Sequence, residues 1–438
     1  MHPHPIDLGL GRLARVLERL RWTQPRVPVI TIAGTNGKGS VAAYCSSILG
    51  AAGLKAGTFT SPHLRDYRER IRVQDRWASE DTLTWAFDRI ERACIGADTA
   101  TGASTGSGEH RISLTFFEYN ALAALLIFEA SRLDAWVLEI GMGGRLDAVN
   151  IVDPTVAAVV SIGLDHQEFL GSTLEDIARE KAGIFRRGVP AVLGSRDMPG
   201  VLERTAASLG APLKRLGREY DFAVRAGSWD YRGARWELPE LPPPALRGEA
   251  QYRNAAAALA VLEELEGTLA LSRQAISVGL TAVRLVARFQ VIECDGVTFI
   301  LDVAHNPAAA AVLAQNLHAM PAAGRTLAVC GILQDKDAAG VGAALADCID
   351  EWWLVSTEGA RGTSGAQLAA RIADALGSAR MHALENIAAA CDAAAATAAR
   401  GDRIVIFGSF HTVGPAMDWL EARGVLPRES PREYTLPP

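Results

Sequence analysis

Apolar and polar positions follow a repeating rhythm along the chain. A short apolar run gives way to a polar or glycine-rich turn, then to apolar residues three and four apart. Residues 27–33 (VPVITIA) predict a buried strand entering the turn 34–40, and Val41, Cys45, Ile48 and Ala52 beyond it fall at helical spacing. Further strands are predicted at 135–140, 155–162, 189–194, 297–304, 325–332, 351–356 and 402–409, with helices such as 114–130 and 306–320 between them. Near-continuous apolar strands alternating with helices predict an α/β fold with mainly parallel sheets covered on both faces. The first twenty residues read as an amphipathic helix, and the alanine-rich 391–400 as a packed one. Two segments predict flexible connections: 96–110, rich in Gly, Ser and Thr, as an exposed loop, and the proline-rich 237–249 as an extended stretch.

The strand-turn-helix rhythm restarts after about residue 287. It divides the 438 residues into 1–286 and 287–438, more than one ordinary domain can hold. An apolar content of 49% with 21% charged residues is that of a globular chain able to bury large cores. A net charge of −6 argues against a general nucleic-acid binder, which would carry a basic surface. It leaves room for small phosphorylated ligands held by a few local donors. Six scattered cysteines without a C-x-x-C pair fit reduced thiols and neither a disulfide frame nor a zinc site. No apolar run approaches the ~18–20 residues that span a bilayer, and the N-terminus lacks the apolar core of a signal peptide. These features predict a cytoplasmic protein without membrane contact.

The stretch ITIAGTNGKGS (30–40) looks like a phosphate loop but departs from G-x-x-x-x-G-K-[ST]. The strict pattern would want glycine at Ile32, and Gly39 separates Lys38 from Ser40. Its context is nonetheless right, with a strand before and a helix after. Gly34, Gly37 and Gly39 free the backbone to aim N–H groups at phosphate oxygens, Lys38 can reach the outer phosphates, and Ser40 can offer a hydroxyl to Mg²⁺.

Other chemistry-bearing residues gather at predicted strand ends, where open α/β sheets place their ligand sites. Glu139 ends one strand beside Gly141, Gly143 and Gly144, placed to hold Mg²⁺ directly or through water. Asp165-His166 ends the next. Asp302 and His305 end a strand in the second half, and Asp302 could hold a ribose hydroxyl. Pro307 is expected to open the following helix. Ser409 and His411 close the last strand, while Asn254 and Arg288 lie near the boundary. Taken alone, Lys181 reads as a solvated lysine.

GTNGKGS, EIGMGGRLDAVN, LDHQEFLG, REKAGIF, DVAHNP and GSFHTV in this order resemble the folylpolyglutamate synthase/dihydrofolate synthase family within the Mur ligase superfamily, over about residues 28–422. G-T-N-G-K-G-[ST] is that superfamily's form of the phosphate loop. The resemblance implies an N-terminal phosphate-loop ATPase domain and a smaller Rossmann-like C-terminal domain. It also implies a monomeric ligase dependent on ATP and Mg²⁺, with a monovalent cation as a further candidate. A substrate carboxylate would take the γ-phosphate of ATP, and the amine of L-glutamate would then displace phosphate from the acyl phosphate. Thr35 and Asn36 join the loop glycines, Lys38 and Ser40 as ATP contacts. Ser40, Glu139 and His166 match the metal ligands, and Lys38, Lys181 and His166 the catalytic set. Lys181 aligns with a lysine that is often carbamylated. Asn254, Arg288, Asp302 and His305 match ATP contacts across a domain cleft, and Ser409 and His411 are candidates for holding glutamate. For the pterin acceptor, SPHLRDYRERIRV and ISLTFFEY match substrate segments, making Arg70, Thr115, Phe117 and Asp147 candidates, with a pterin stacked on Phe117. Ala287, where the family commonly has glycine, is one departure.

The pterin-side segments resemble the bifunctional bacterial type, so both 7,8-dihydropteroate and reduced folates are expected acceptors; an enzyme that only lengthens folate tails is the alternative. A peptidoglycan-type Mur ligase would need a UDP-sugar domain ahead of Lys38. A guanine-nucleotide switch would need N-K-x-D, and LQDKDAAG (333–340) lacks the asparagine.

Overall fold

The structure, a computed structural model, describes residues 6–96, 111–427 and 431–437. Its first half is built on a nine-stranded sheet. Six parallel strands form the centre, in the order Ala56–Phe59, Ala135–Glu139, Val29–Ala33, Val156–Val159, Ala191–Leu193 and Leu213–Arg215. The antiparallel pair Ile71–Val73 and Arg76–Ala78 extends one edge, and Glu433–Tyr434 pairs with that edge from the other end of the chain. The second half is built on a six-stranded sheet. Gln290–Cys294 runs antiparallel at its edge, followed by Val297–Leu301, Arg403–Phe407, Thr326–Cys330, Glu351–Val355 and Arg380–Leu384, all parallel.

Both sheets are buried on two faces, as their continuous apolar strands require. Within Val29–Ala33, Val29 and Ala33 join the core under helix Phe116–Ala130, while Ile30 and Ile32 join the core under helices Lys38–Ala51 and Glu249–Glu263. The helices on the second face pack closely. A Cβ at Gly279, in helix Arg273–Ala282, would stand 2.5 Å from the Ile48 backbone. In the second half, Ile300 and Leu301 likewise divide between two cores.

The predicted strands form, each trimmed by a few residues at its ends. Pro307 opens the helix Pro307–Ala319, with Asn306 capping it by accepting the Ala309 N–H. The segment 237–249 is extended over 237–241, as the sequence predicts, but ordered in a sheet rather than a flexible connection. Glu237–Leu241 is an edge strand of a three-stranded antiparallel sheet with Ser228–Arg232 and Asp221–Arg225, and Pro239 is tolerated there because an edge strand leaves amides unpaired. Burial of Trp236, Leu238 and Leu241 anchors it, and helix Glu249–Glu263 begins where the segment ends. Of the other segment, 97–110 lies outside the described residues. Among the described residues no helix is long and apolar enough to cross a membrane.

Candidate active site

Each sheet has a point where the chain reverses its direction of growth, and the turns after the strands open there. In the larger sheet, Val29–Ala33 lies between Ala135–Glu139 and Val156–Val159, so turns 34–37, 140–147 and 160–166 share one crevice. In the smaller, Arg403–Phe407 lies between Val297–Leu301 and Thr326–Cys330, which brings turns 302–306 and 408–409 together. The two crevices face each other. Asn36 and Asn306 pair through their amides at 3.1 Å, and Asp165 accepts from Lys336 Nζ at 2.6 Å, His305 Nε2 at 3.3 Å and Asn306 Nδ2 at 3.3 Å. Burial opposes the charge on Asp165, but His305, His166 and Lys336 outweigh it and hold its carboxyl well below the usual range.

A pocket of about 220 Å³ lies between the crevices, lined by the whole loop Gly34–Ser40 together with Glu139, His166, Lys181, Asn254, Arg288, Asp302 and His305. The loop is fixed from behind, with Thr35 N–H donating to Ser161 O at 2.9 Å and Asn36 N–H to Ser161 Oγ at 2.9 Å. Gly37 adopts φ +86°, and a Cβ there would lie 2.8 Å from Asn254 Oδ1, so glycine is required on both counts. Helix Lys38–Ala51 starts at Gly37 without a side-chain cap, leaving its first N–H groups available to an anion. Lys38 Nζ donates to the carbonyls of Gly34 at 3.1 Å and Thr35 at 3.3 Å.

Glu139 is buried at the end of its strand, and Oε2 accepts the Ser61 N–H at 3.1 Å. Burial raises its pKa, while Lys38, the Ser61 N–H and Arg288 act the other way. The Ser40 hydroxyl is buried on the same pocket. His166 sits in a left-handed turn (φ +51°) at the start of a short helix; burial lowers its pKa to about 4, so its imidazole is neutral and can offer a lone pair. Among the described residues no group of three or more His, Cys, Asp or Glu side chains could hold a metal alone. One carboxylate, one hydroxyl and one imidazole suit Mg²⁺, which keeps waters and takes phosphate oxygens as further ligands.

Lys181 is not solvated. It lies on helix Leu174–Ala182 with 4% exposure, packed under the loop, and Nζ donates to Gly34 O at 3.0 Å. Burial, and then repulsion by Lys38, lowers its pKa to about 7. Residue type alone could not show this, because the sequence does not reveal that the neighbouring Gly144 lets another turn close over the helix. A Cβ there would stand 2.7 Å from Glu180 O.

Across the pocket, Asp302 accepts N–H groups from Phe289 and Ala304, both at 2.8 Å, and faces Arg288. Arg288 lies over the Phe410 ring at 5.4 Å. Asn254 Oδ1 is buried with no partner, although its amide donates to Gln251 at 3.1 Å. A buried acceptor left unmatched on a ligand pocket is a site a ligand donor can satisfy.

A second cavity, about 1020 Å³, adjoins the first and shares Ser61, Pro62, Gly141, Met142, His166, His305 and Phe410 with it. Arg70, Thr115, Phe117, Asp147, Ser409 and His411 all line it. Several also have structural work. Thr115 and Glu118 form a capping box on helix Phe116–Ala130, and Ser409 caps helix Phe410–Ala422 by accepting the Thr412 N–H at 3.1 Å. Asp147 accepts from Met142 and Val149, both at 2.9 Å, and burial lifts its pKa to about 6. Phe117 packs 6.0 Å from Phe59 and lies against Gly141, where a Cβ would be 2.4 Å from the ring. Arg70 Nε donates to His63 Nδ1 at 2.7 Å, and its guanidinium lies 5.3 Å from the exposed Phe116 ring.

Sequence reading missed four contributors. Lys336 was visible only as part of a failed guanine-reading pattern, yet its partner is Asp165, 171 positions away. Ser61–Pro62 has a cis peptide that no local signal announces. His63 and Phe116 sat within the quoted substrate segments without being singled out.

Comparisons with known proteins agree with this arrangement. Residues 32–206 match the Mur ligase middle domain, and residues 287–410 the Mur ligase glutamate ligase domain. A dihydrofolate synthase/folylpolyglutamate synthase of Escherichia coli is 42% identical over 423 residues, 97% of this chain and 94% of that protein. The structure of E. coli FolC in complex with DHPP and ADP superposes with a TM-score of 0.87 at 42% identity, covering 97% of this chain and 95% of that one. A bifunctional folylpolyglutamate synthase/dihydrofolate synthase with Mn, AMPPNP and L-glutamate bound superposes with a TM-score of 0.84, again at 42% identity, covering 96% of each chain. With its phosphate loop, facing crevices and near full-length similarity, the chain belongs to the dihydrofolate synthase/folylpolyglutamate synthase family of Mur ligases.

Proposed function

We infer that the protein is an ATP-dependent ligase that adds L-glutamate to 7,8-dihydropteroate, forming dihydrofolate, and to the γ-carboxylate of reduced folates, lengthening their tails. The observation that carries this reading is the adjacency of the two cavities. A nucleotide-sized phosphate pocket opens into a larger, aromatic-lined cavity through residues common to both. A carboxylate is a poor electrophile, and phosphorylation turns its oxygen into a leaving group. The acceptor carboxylate takes the γ-phosphate at the mouth between the cavities, and the amine of glutamate then displaces phosphate to form the amide. Catalysis of this kind rests on positioning and charge neutralisation.

In this assignment Lys38 and the helix N-terminus bind the outer phosphates, while Asn254, Arg288, Asp302 and His305 hold the rest of the nucleotide. Ser40, Glu139 and His166 would hold Mg²⁺, which when bound neutralises charge on the phosphates. Lys181 is a candidate for carbamylation, because an amine with a pKa near 7 is substantially neutral at cellular pH and so can add to CO₂. A carbamate there would replace a buried cation beside Lys38 with an anion. Arg70, Thr115, Phe117 and Asp147 surround the pterin, and Ser409 and His411 lie on the glutamate side. The division into 1–286 and 287–438 assigns phosphate activation mainly to the first part and amine delivery to the second. The protein acts as a cytoplasmic monomer in this reading, and its six described cysteines are all unpaired, as reduced thiols would be.

The test is ADP release by the purified protein with Mg²⁺-ATP and L-glutamate, with 7,8-dihydropteroate or tetrahydrofolate as acceptor. Turnover with both is expected. Turnover with tetrahydrofolate alone would limit the enzyme to tail lengthening, and no turnover with either would overturn the assignment.

A further inference from the structure

Residues 431–437 follow a helix of the smaller sheet but dock on the larger one. Glu433–Tyr434 pairs in parallel with Trp77 and Ala78 at the sheet edge, with Trp77 N–H donating to Arg432 O at 2.9 Å and Ser79 N–H to Tyr434 O at 2.8 Å. Beyond the strand, Leu436 N–H donates to Thr82 Oγ1 at 3.1 Å, and Thr435 Oγ1 contacts Ser79 Oγ at 3.2 Å. The Arg76 guanidinium lies over the Tyr434 ring at 5.4 Å. An edge that would otherwise present bare amides is thus covered by the chain's own later segment.

The strand that receives this segment, Arg76–Ala78, pairs with Ile71–Val73, and Ile71–Val73 directly follows a wall of the large cavity. Glu433 Oε1 accepts from Arg68 Nη1 at 2.6 Å, and Arg68 holds Asp66 through Nε at 3.0 Å and Nη2 at 2.7 Å. Asp66 in turn caps Tyr67–Arg70, accepting the Arg68 N–H at 2.9 Å. That turn presents Arg70, which holds His63, and both line the cavity. On the opposite side, Arg65 pairs with Asp418 at 3.1 Å and Glu421 at 2.8 Å on the helix whose first turn carries Phe410 and His411. The same helix approaches so closely that a Cβ at Gly414 would lie 2.7 Å from Leu64 O. The wall 61–70 is therefore clamped between two parts of the C-terminal region. By contrast, the residues lining the phosphate pocket include none from 63–80 or 431–437.

We propose that residues 431–437 are a positioning strap for the acceptor wall, with Glu433 acting through Arg68 to hold the turn that presents Arg70 and His63. The strap sets acceptor affinity without touching the acceptor. It rests on the reading of the large cavity as the acceptor site.

The test uses full-length variants and separate KM values for acceptor and ATP. Glu433→Arg and Arg68→Glu each remove the ion pair, and Tyr434→Pro removes a strand amide. Each is expected to raise the acceptor KM about fivefold, with kcat within about twofold and the ATP KM unchanged. Glu433→Gln, which keeps an acceptor for Arg68 and leaves the Arg68–Asp66 contact intact, is expected to raise the acceptor KM less than Glu433→Arg. Hydrogen exchange at Trp77 and Ser79 reports whether the strap has left the edge. Wild-type acceptor KM with these amides deprotected would overturn the strap, as would parallel rises in the acceptor and ATP KM or an equal rise for Glu433→Gln and Glu433→Arg. Absence of acceptor-dependent turnover in the wild-type enzyme would instead overturn the reading of the cavity.

Discussion

The phosphate pocket and the acceptor cavity meet at shared residues but are built by different rules. The pocket, about 220 Å³, is made largely from turns at the ends of central strands, and it presents backbone N–H groups with charged and polar side chains such as Lys38, Glu139, Lys181 and Arg288. The cavity, about 1020 Å³, adds to strand-end turns such as 141–148 and 408–409 the N-terminal segment 6–9, the turn 61–65, the start of helix Phe116–Ala130 and the first turns of helix Phe410–Ala422. Much of the first is anchored at strand ends of sheets buried on both faces, and helices Glu249–Glu263 and Pro307–Ala319 close it. The second depends on how its loops and helix ends are held together. Chemistry that tolerates no error belongs in the first, and a binding step that must accept acceptors of different length fits the second.

That contrast can be broken at several points. The largest effect is expected for Lys38→Ala, which should lower kcat about a thousandfold while circular dichroism and melting temperature stay near wild type. Full activity in that variant would remove the loop from phosphate chemistry. Next comes the bridge between the crevices. Lys336→Met leaves Asp165 buried without its cation, and both side chains are largely buried. Destabilisation of about 3 kcal/mol in urea is expected. A change below about 0.5 kcal/mol would mean that the bridge does not hold the halves together.

A smaller effect separates the cavities. Gly141→Ala drives a methyl group into the Phe117 ring and should raise the acceptor KM roughly tenfold. Because Gly141 borders both cavities, an equal rise in the ATP KM would show that they are not independent. The last effect, smallest when taken per pH unit, concerns Lys181. In CO₂-free buffer Lys181 gives up its proton near pH 7 when folded, whereas in the unfolded chain it holds the proton up to about 10.5. The unfolded state then binds more protons between these values, so stability should rise with pH across that window, by at most about 1.4 kcal/mol per unit. Added bicarbonate should flatten the rise if a carbamate forms, and flat stability in both buffers would count against a buried neutral lysine.

The two regions also differ in how far sequence exposes them. The pocket was legible because strand-end turns are contiguous: GTNGKGS, Glu139, Asp165-His166 and Asp302 each sit in a short string whose neighbours fix the geometry. Apart from Ser409 and His411 at a strand end, the cavity was legible through resemblance, since most of its residues come from segments whose meeting depends on long-range packing. Thr115 and Ser409 show why: each also caps a helix, so residue type and position could not separate a structural role from a binding one. Lys181 shows the reverse error. Its charge suggested water, and only the packing of helix Leu174–Ala182 beneath the loop reveals it buried. Glu237–Leu241 was legible as extended but not as an ordered strand, because edge position is a property of the sheet and not of the segment.

The central claim is that one phosphate pocket serves one acceptor cavity for both reactions. It is tested most directly by supplying 7,8-dihydropteroate and tetrahydrofolate together, at saturating Mg²⁺-ATP and L-glutamate, and measuring total ADP release. A shared cavity predicts a rate between those of the two acceptors alone, with each inhibiting the other at a constant equal to its own KM. Additive rates, with no mutual inhibition, would contradict the account.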